Sequence, residues 1–216
     1  MSAALIVLAK APVAGRVKTR LCPPCTPAQA SRLAAAALAD TLRTVAAVPG
    51  VGRRVCVLDG APGPWLPPGF EVLQQRGDGL DERLAAAFAD VGGAALLVGM
   101  DTPQLTPLLL ADALARLHRT GAVLGPAPDG GYWAIGLRRA IDAFFHGVPM
   151  SVATTGTAQL LRLREQGLQV DLLPALRDVD TIDDARAVAR LCARGAAFPA
   201  MLAGVDADLA GEAAAA

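Results

Sequence analysis

Apolar residues alternate along this chain between short continuous runs and longer stretches spaced every three to four residues. That alternation predicts an α/β sheet with helices on its faces. Ala3 to Ala9 is uninterrupted apolar sequence and reads as a first buried strand. Thr26-Pro27 sets a capping hydroxyl before a proline at the first helical position, opening an alanine-rich helix to about Ala47. Val48-Pro-Gly-Val-Gly52 ends that helix. Arg54 to Leu58 and Phe70 to Gln74 follow as strands two and three, with a Pro/Gly-rich connection between them. Gly77-Asp-Gly79 then introduces a helix from about Leu80 to Val91.

Ala94 to Val98 is a continuous apolar strand and therefore belongs in the middle of the sheet, covered on both faces. Thr106-Pro107 repeats the hydroxyl-proline start for a helix to about His118, and Ala122 to Gly125 returns to strand. A turn at Pro128-Asp-Gly-Gly131 leads into a strand over Tyr132 to Leu137. Helical stretches are expected near Ala140 to His146 and Thr155 to Gln166, then a strand from Leu168 to Leu173. Asp178-Val-Asp-Thr-Ile182 opens a helix through Ala193, with Asp180 or Thr181 placed to cap it. Past Gly195 the pattern loosens. The expectation is one domain over residues 1–204 and a flexible C-terminal tail over 205–216.

At 216 residues and 53% hydrophobic the chain is long enough for one sizeable core. Its formal net charge of zero offers no basic field to nucleic acid or an anionic membrane, so neither is expected as a partner. No apolar run is long enough to span a bilayer, and no basic segment precedes the first apolar stretch, so a cytoplasmic location is expected. Four cysteines are too few for a disulfide scaffold at this length. Cys22-Pro-Pro-Cys25 has the spacing of a redox pair or half a zinc site, yet no second pair or nearby histidine completes a tetrahedral set. These thiols read as occupants of a rigid turn.

Charge becomes informative through its distribution. Both lysines, Lys10 and Lys18, fall in Lys10-Ala-Pro-Val-Ala-Gly-Arg-Val-Lys-Thr-Arg20, directly after the first strand, and all other cationic side chains of the sequence apart from histidine are arginines. Lys10, Arg16, Lys18 and Arg20 on one turn suit a polyanion such as a nucleotide di- or triphosphate, because parallel sheets bind ligands beyond the carboxyl ends of their strands. The turn is not a Walker A loop: Val17 stands where that motif needs glycine.

Asp101 follows the central strand, and Thr106 already serves the next helix as cap, which leaves Asp101 open to a metal. Mg²⁺ or Mn²⁺ held by one or two carboxylates is the expected cofactor, with Asp180 the second ligand and Asp178 the fallback. Asp129, in a turn with Gly130 and Gly131, is placed to orient an acceptor hydroxyl or join the metal's outer shell. Gln75 is suited to a base edge, and Arg76 and Arg83 to phosphate or to pairing with Asp78 and Glu82. His118 and His146 have no serine-elbow or cysteine partner, so acyl transfer is unsupported.

Five motifs in order, Lys10-x-Pro-x-x-Gly-x-x-Lys-Thr-Arg-Leu21, Gly77-Asp-Gly-Leu-x-Glu-Arg83, Gly99-x-Asp-Thr-Pro103, Gly125-Pro-x-x-Asp-Gly-Gly-Tyr132 and Asp178-Val-Asp-Thr181, resemble one family over roughly residues 3 to 193. It is the DUF2064 group, also called rSAM/selenodomain-associated transferase 1, within the GT-A nucleotide-diphospho-sugar transferase superfamily. Lys18-Thr-Arg-Leu21 is also similar to an element of phospholactate guanylyltransferases, and Gly99-x-Asp-Thr-Pro103 to molybdenum cofactor nucleotidyltransferases. The resemblance implies a GT-A, Rossmann-like three-layer sandwich with a mostly parallel central sheet. It also implies a nucleotide over the N-terminal half, contacted by Lys10, Pro12, Gly15, Arg16, Lys18, Arg20, Gln75, Gly79 and Arg83. Lys18, Arg20, Asp101 and Asp129 are the implied catalytic set, with a metal at Asp101 and Asp180. Where the family carries an aromatic and a Ser-Thr pair, this chain has Met150-Ser-Val-Ala-Thr154, so Ser151 joins Asp129, Gly130 and Gly131 as the acceptor set.

The reading that follows is a metal-dependent nucleotidyltransferase, in which a small phosphorylated or oxyanion acceptor attacks the α-phosphorus of an NTP and pyrophosphate leaves. A glycosyltransferase using a nucleotide sugar is the alternative, and a non-catalytic nucleotide-binding regulator is the reading from another class. The partners expected are the donor and a small-molecule acceptor, with a homodimer left open.

Overall fold

A computed structural model describes residues 3–215 of the chain. Seven strands, β1 (Ala4–Lys10), β2 (Arg54–Asp59), β3 (Glu71–Gln74), β4 (Ala95–Gly99), β5 (Gly121–Pro126), β6 (Tyr132–Leu137) and β7 (Gln169–Leu172), form one sheet in the order β3-β2-β1-β4-β6-β5-β7. Every pairing is parallel except those of β6, which runs against β4 and β5. The central, doubly covered position expected for the Ala94–Val98 run is where β4 lies, fourth of seven.

Strand alternation sorts side chains between two cores. From β1, Leu5, Val7 and Ala9 face one cluster, while Ala4 and Ile6 face the other. The first face is covered by α1 (Pro27–Ala46) and α3 (Pro107–Thr120), through Leu38, Leu42, Leu110 and Leu117. The second is covered by α2 (Leu80–Val91) and α4 (Thr155–Glu165), with Phe88 stacked on Phe145 at 5.4 Å between ring centroids. These are the three layers and the mostly parallel sheet that the resemblance implied.

A fourth layer lies outside α1. Two helices, α5 (Ile182–Ala189) and α6 (Ala197–Ala215), bury Val188, Phe198, Leu202 and Val205 against Ala30, Leu33 and Ala37 of α1. The segment from 205 onward, expected as a tail, is the second half of α6. Phe198, Leu202, Val205 and Leu209 recur at intervals of three to four residues and give the segment an apolar stripe to dock. Asp40 of α1 fixes its start, accepting hydrogen bonds from the backbone N–H groups of Ala197 (2.9 Å) and Phe198 (2.7 Å).

Two further expectations are corrected. The helix expected near Ala140 to His146 is only a 3-10 turn at Asp142–Phe144, which inserts Phe144 and Phe145 into the second core. The helix expected to reach Ala193 ends at Ala189. Its cap is Thr181, whose Oγ accepts from the Asp184 N–H while the Asp184 carboxylate accepts from Thr181 N–H, a reciprocal capping box. Asp180, the other candidate cap, is thereby left to point elsewhere.

Candidate functional site

Sheet order decides which loops meet. β1 and β4 are parallel neighbours with Leu8 opposite Gly99, so Lys10 and Asp101 emerge at one edge, and Lys10 N–H donates to the Met100 sulfur (3.3 Å). Because β6 is reversed, its first residue Tyr132 and the preceding Asp129-Gly-Gly131 turn reach that same edge. The segment after β7 closes the arrangement: buried Val179 donates its N–H to the Asp101 carbonyl (3.1 Å), and its neighbours Asp178 and Asp180 are carried to the site with it.

The centre of the site is Lys18. Its Nζ lies 2.7 Å from Asp101 Oδ2 and 3.1 Å from Asp180 Oδ1, with the side chain 10% exposed. Burial pushes this ammonium down, but Asp101 and Asp180 outweigh it, so its pKa is raised and it stays charged. Lys18 adopts a left-handed backbone (φ 48°, ψ 40°), unfavourable for a residue with a Cβ, and buried Val17 beside it anchors the turn in the core. Arg20 Nη1 takes the other oxygen of Asp180 at 3.0 Å and is 71% exposed. Lys10 and Arg16 line the adjoining cavity of ≈ 310 Å³ with Lys18 and Arg20. Pro12 and Gly15 shape the loop, Gly15 through a positive φ of 77°.

Three carboxylates, Asp129, Asp178 and Asp180, bring one oxygen each to within 4.8 Å of one another. Burial first, then the negative neighbours Asp129 and Asp180, push Asp178 up to about 6. Asp101 Oδ1 is buried without a hydrogen-bond partner. An orphaned carboxylate oxygen beside a cluster of mutually repelling carboxylates fits a divalent cation, which takes oxygen ligands and retains several waters. Asp101, Asp129, Asp178 and Asp180 are the residues that would hold it. Asp101 and Asp180, the pair implied by resemblance, are bridged by Lys18, and Asp129 and Asp178 group with Asp180.

A cleft of ≈ 730 Å³ extends from these carboxylates between the start of α2 and the 150–155 loop. Its floor includes Leu8, Leu84, Leu97, Tyr132 and Met150, residues that chemistry-led reading of the sequence passes over because each looks like ordinary core. The available signal was Tyr132 directly following the Gly-Gly turn. Its hydroxyl donates to Gln159 Oε1 (3.3 Å), and burial holds its pKa well above the usual tyrosine value.

Other sequence candidates have partners of their own. Gln75 donates its amide to the carbonyls of Ala9 (2.8 Å) and Val57 (3.2 Å), tying strand ends together, so its NH₂ is not free for a base. Arg83 lines the cleft and donates to Gly77 O (3.0 Å), with Asp59 3.5 Å away; Gly79 is the N-cap residue of α2. Arg76 pairs with Asp90, neither Asp78 nor Glu82. Asp129 accepts from Gly131 N–H (2.8 Å), closing its own turn. Gly130 (φ 90°) sits so close to the Ala153 carbonyl that no Cβ fits, so this glycine brings backbone to the 150–155 loop. Ser151 lies on the cleft wall with φ 60°. All four cysteines are free, and no group of Cys and His with metal-ligand spacing occurs among the described residues.

A family model described as "Uncharacterized protein conserved in bacteria (DUF2064)" matches residues 32–152, more than half of the chain. The chain belongs to the DUF2064 family. No curated protein compared with this DUF2064 chain matches it in sequence. Among solved structures, a protein of Desulfovibrio desulfuricans G20 described as a candidate nucleotide-diphospho-sugar transferase aligns over 98% of each chain, at 28% identity and TM-score 0.84. CMP:2-keto-3-deoxy-manno-octonic acid synthetase, solved with CTP, aligns over 87% of this chain and 97% of its own at 14% identity and TM-score 0.57. The 4-diphosphocytidyl-2C-methyl-D-erythritol synthase of Anaerococcus prevotii DSM 20548 aligns over 88% and 96% at 11% identity and TM-score 0.53. At these identities the last two show that the DUF2064 chain shares their fold.

Proposed function

We propose that this DUF2064 protein is a nucleotide-dependent transferase, and specifically that it moves a nucleotidyl group from an NTP to a small acceptor with release of pyrophosphate. One observation carries the reading: the cationic loop after β1 meets the carboxylates after β4 and β7 through Lys18, and Lys10, Arg20, Asp101 and Asp180 line both the cleft and its adjoining cavity. Phosphoryl chemistry needs that pairing, because developing negative charge on the leaving phosphates must be met by fixed cations.

In this reading Lys10, Arg16 and Arg20 receive the β- and γ-phosphates, and Lys18 holds Asp101 and Asp180 in register. The backbone around Gly131 and the Tyr132 floor position the acceptor. Asp129, exposed at the rim, stands beside the attacking group as one of the carboxylates that would hold the cation. A divalent cation bound by the carboxylates, Mg²⁺ or Mn²⁺, would supply charge neutralisation at the α-phosphate. An NTP donor is supported by the synthetase of similar fold that was solved with CTP.

A nucleotide-sugar donor is the second reading, favoured by the similarity to the Desulfovibrio protein along nearly the whole chain. The two separate in a thermal-shift screen of NTPs and nucleotide sugars, each with and without Mg²⁺ or Mn²⁺, followed by pyrophosphate assays with any stabilising donor. Stabilisation by an NTP with acceptor-dependent pyrophosphate release supports nucleotidyl transfer. Stabilisation by a UDP- or GDP-sugar alone replaces it with glycosyl transfer, and no response to either class removes both.

A further inference from the structure

Both oxygens of Asp180 are engaged by cations. Its Oδ1 serves the Lys18 ammonium at 3.1 Å and its Oδ2 serves the Arg20 guanidinium at 3.0 Å. A divalent ion approaching the Asp129, Asp178 and Asp180 oxygens therefore meets two fixed positive charges on the carboxylate it needs. Positive charges gathered on one partly buried carboxylate repel one another, which favours release of the one held least firmly.

The two cations are unequally held. Lys18 is almost buried, and Asp101 grips it independently at 2.7 Å, so it keeps a counter-charge whatever happens at Asp180. Among the described residues Arg20 has Asp180 as its one acidic partner; it is 71% exposed, with a long side chain free to swing into the cavity it shares with Lys10 and Arg16. We infer that Arg20 is an exchangeable counter-ion on Asp180: it occupies the carboxylate in the empty protein and must leave before a divalent cation is held there. A polyanion in the cavity offers the departing guanidinium a replacement partner. Metal and phosphate loading are thereby coupled, each making room for or receiving what the other displaces, and the coupling is reciprocal. This inference deepens the proposed function by assigning an order-setting role to one residue, and its central test needs no nucleotide.

The test is Mn²⁺ binding to the full chain without nucleotide, read by the loss of free-ion EPR signal at fixed ionic strength. Wild type is compared with Arg20→Gln, and with Arg32→Gln as a control. Arg32 pairs with Asp208 on a different surface, so that variant removes one positive charge without touching Asp180. Arg20→Gln is expected to bind Mn²⁺ about fivefold tighter than wild type, while Arg32→Gln stays within about 1.5-fold. Arg20→Lys, which keeps a charge on a shorter arm, is expected to fall between wild type and Arg20→Gln. Circular dichroism checks that each variant is folded; Arg20 projects from the surface and no core contact depends on it. Equal or weaker binding by Arg20→Gln overturns the inference, as does a gain no larger than that of Arg32→Gln, or Mn²⁺ binding by neither wild type nor Arg20→Gln. Because nucleotide is absent, a tighter Arg20→Gln combined with failure to bind any NTP or nucleotide sugar would retain the exchange and discard the transferase reading.

Discussion

Lys18 is a residue whose surroundings decide between two different substitutions. In isolation it looks like a phosphate ligand, yet its ammonium is shared by two carboxylates and nearly closed off from water. Lys18→Ala leaves Asp101 and Asp180 facing each other without compensation. It is expected to lower stability by about 1–3 kcal/mol in chemical denaturation as well as weakening donor binding. Asp101→Asn should leave the fold intact and reduce turnover by about 100-fold, the scale of losing one transition-state stabiliser; full activity in this variant would remove Asp101 from the chemistry. The cysteines supply a reactivity contrast. Burial pushes Cys56 and Cys192 up to about 11, so both thiols are protonated at neutral pH, and modification of Cys56 by iodoacetamide in the native protein should be far slower than in guanidinium. Rapid native labelling of Cys56 would mean that β2 opens readily.

At the scale of elements, caps and glycines place the functional loops. Thr181 closes the start of α5 and so releases Asp180 toward Lys18, a division of labour that adjacent capping candidates in a sequence do not reveal. Thr181→Ala is expected to cost about 1 kcal/mol, measured by denaturant midpoint, and to loosen Asp180. Gly130 packs the Asp129 turn against the 150–155 loop, combining a φ of 90° with a Cβ position already filled by the Ala153 carbonyl. Gly130→Ala should therefore displace one wall of the cleft, lowering acceptor use more than donor affinity; unchanged acceptor kinetics would show that this wall plays no part. The motif around Gly130 was readable as a turn, but its partner lies more than twenty residues further on, and only the folded chain makes that contact.

Across the whole molecule, the outer layer of α5 and α6 turns α1 into a helix buried on two sides, which accounts for the run of alanines between Leu33, packed on the outer layer, and Leu38, packed on the sheet. Phe198 is fully buried in that layer, and Phe198→Ala is expected to cost about 3–5 kcal/mol by thermal or chemical unfolding. Hydrophobic patterning alone was enough for the strands, the two hydroxyl-proline helix starts and the central place of β4, because burial forces period and composition to agree locally. The grouping of cations after β1, and Asp101 after β4, was legible for the same reason: strand ends in a parallel sheet are marked by where apolar runs stop. What the sequence alone left undecided is which charge meets which. Lys18 reaching Asp101 and Asp180, Gln75 bracing strand ends, and the reversal of β6 that brings Asp129 to the same edge are pairings across long stretches of chain. They follow from strand order, which is settled by packing the whole sheet and has no signature in any single segment.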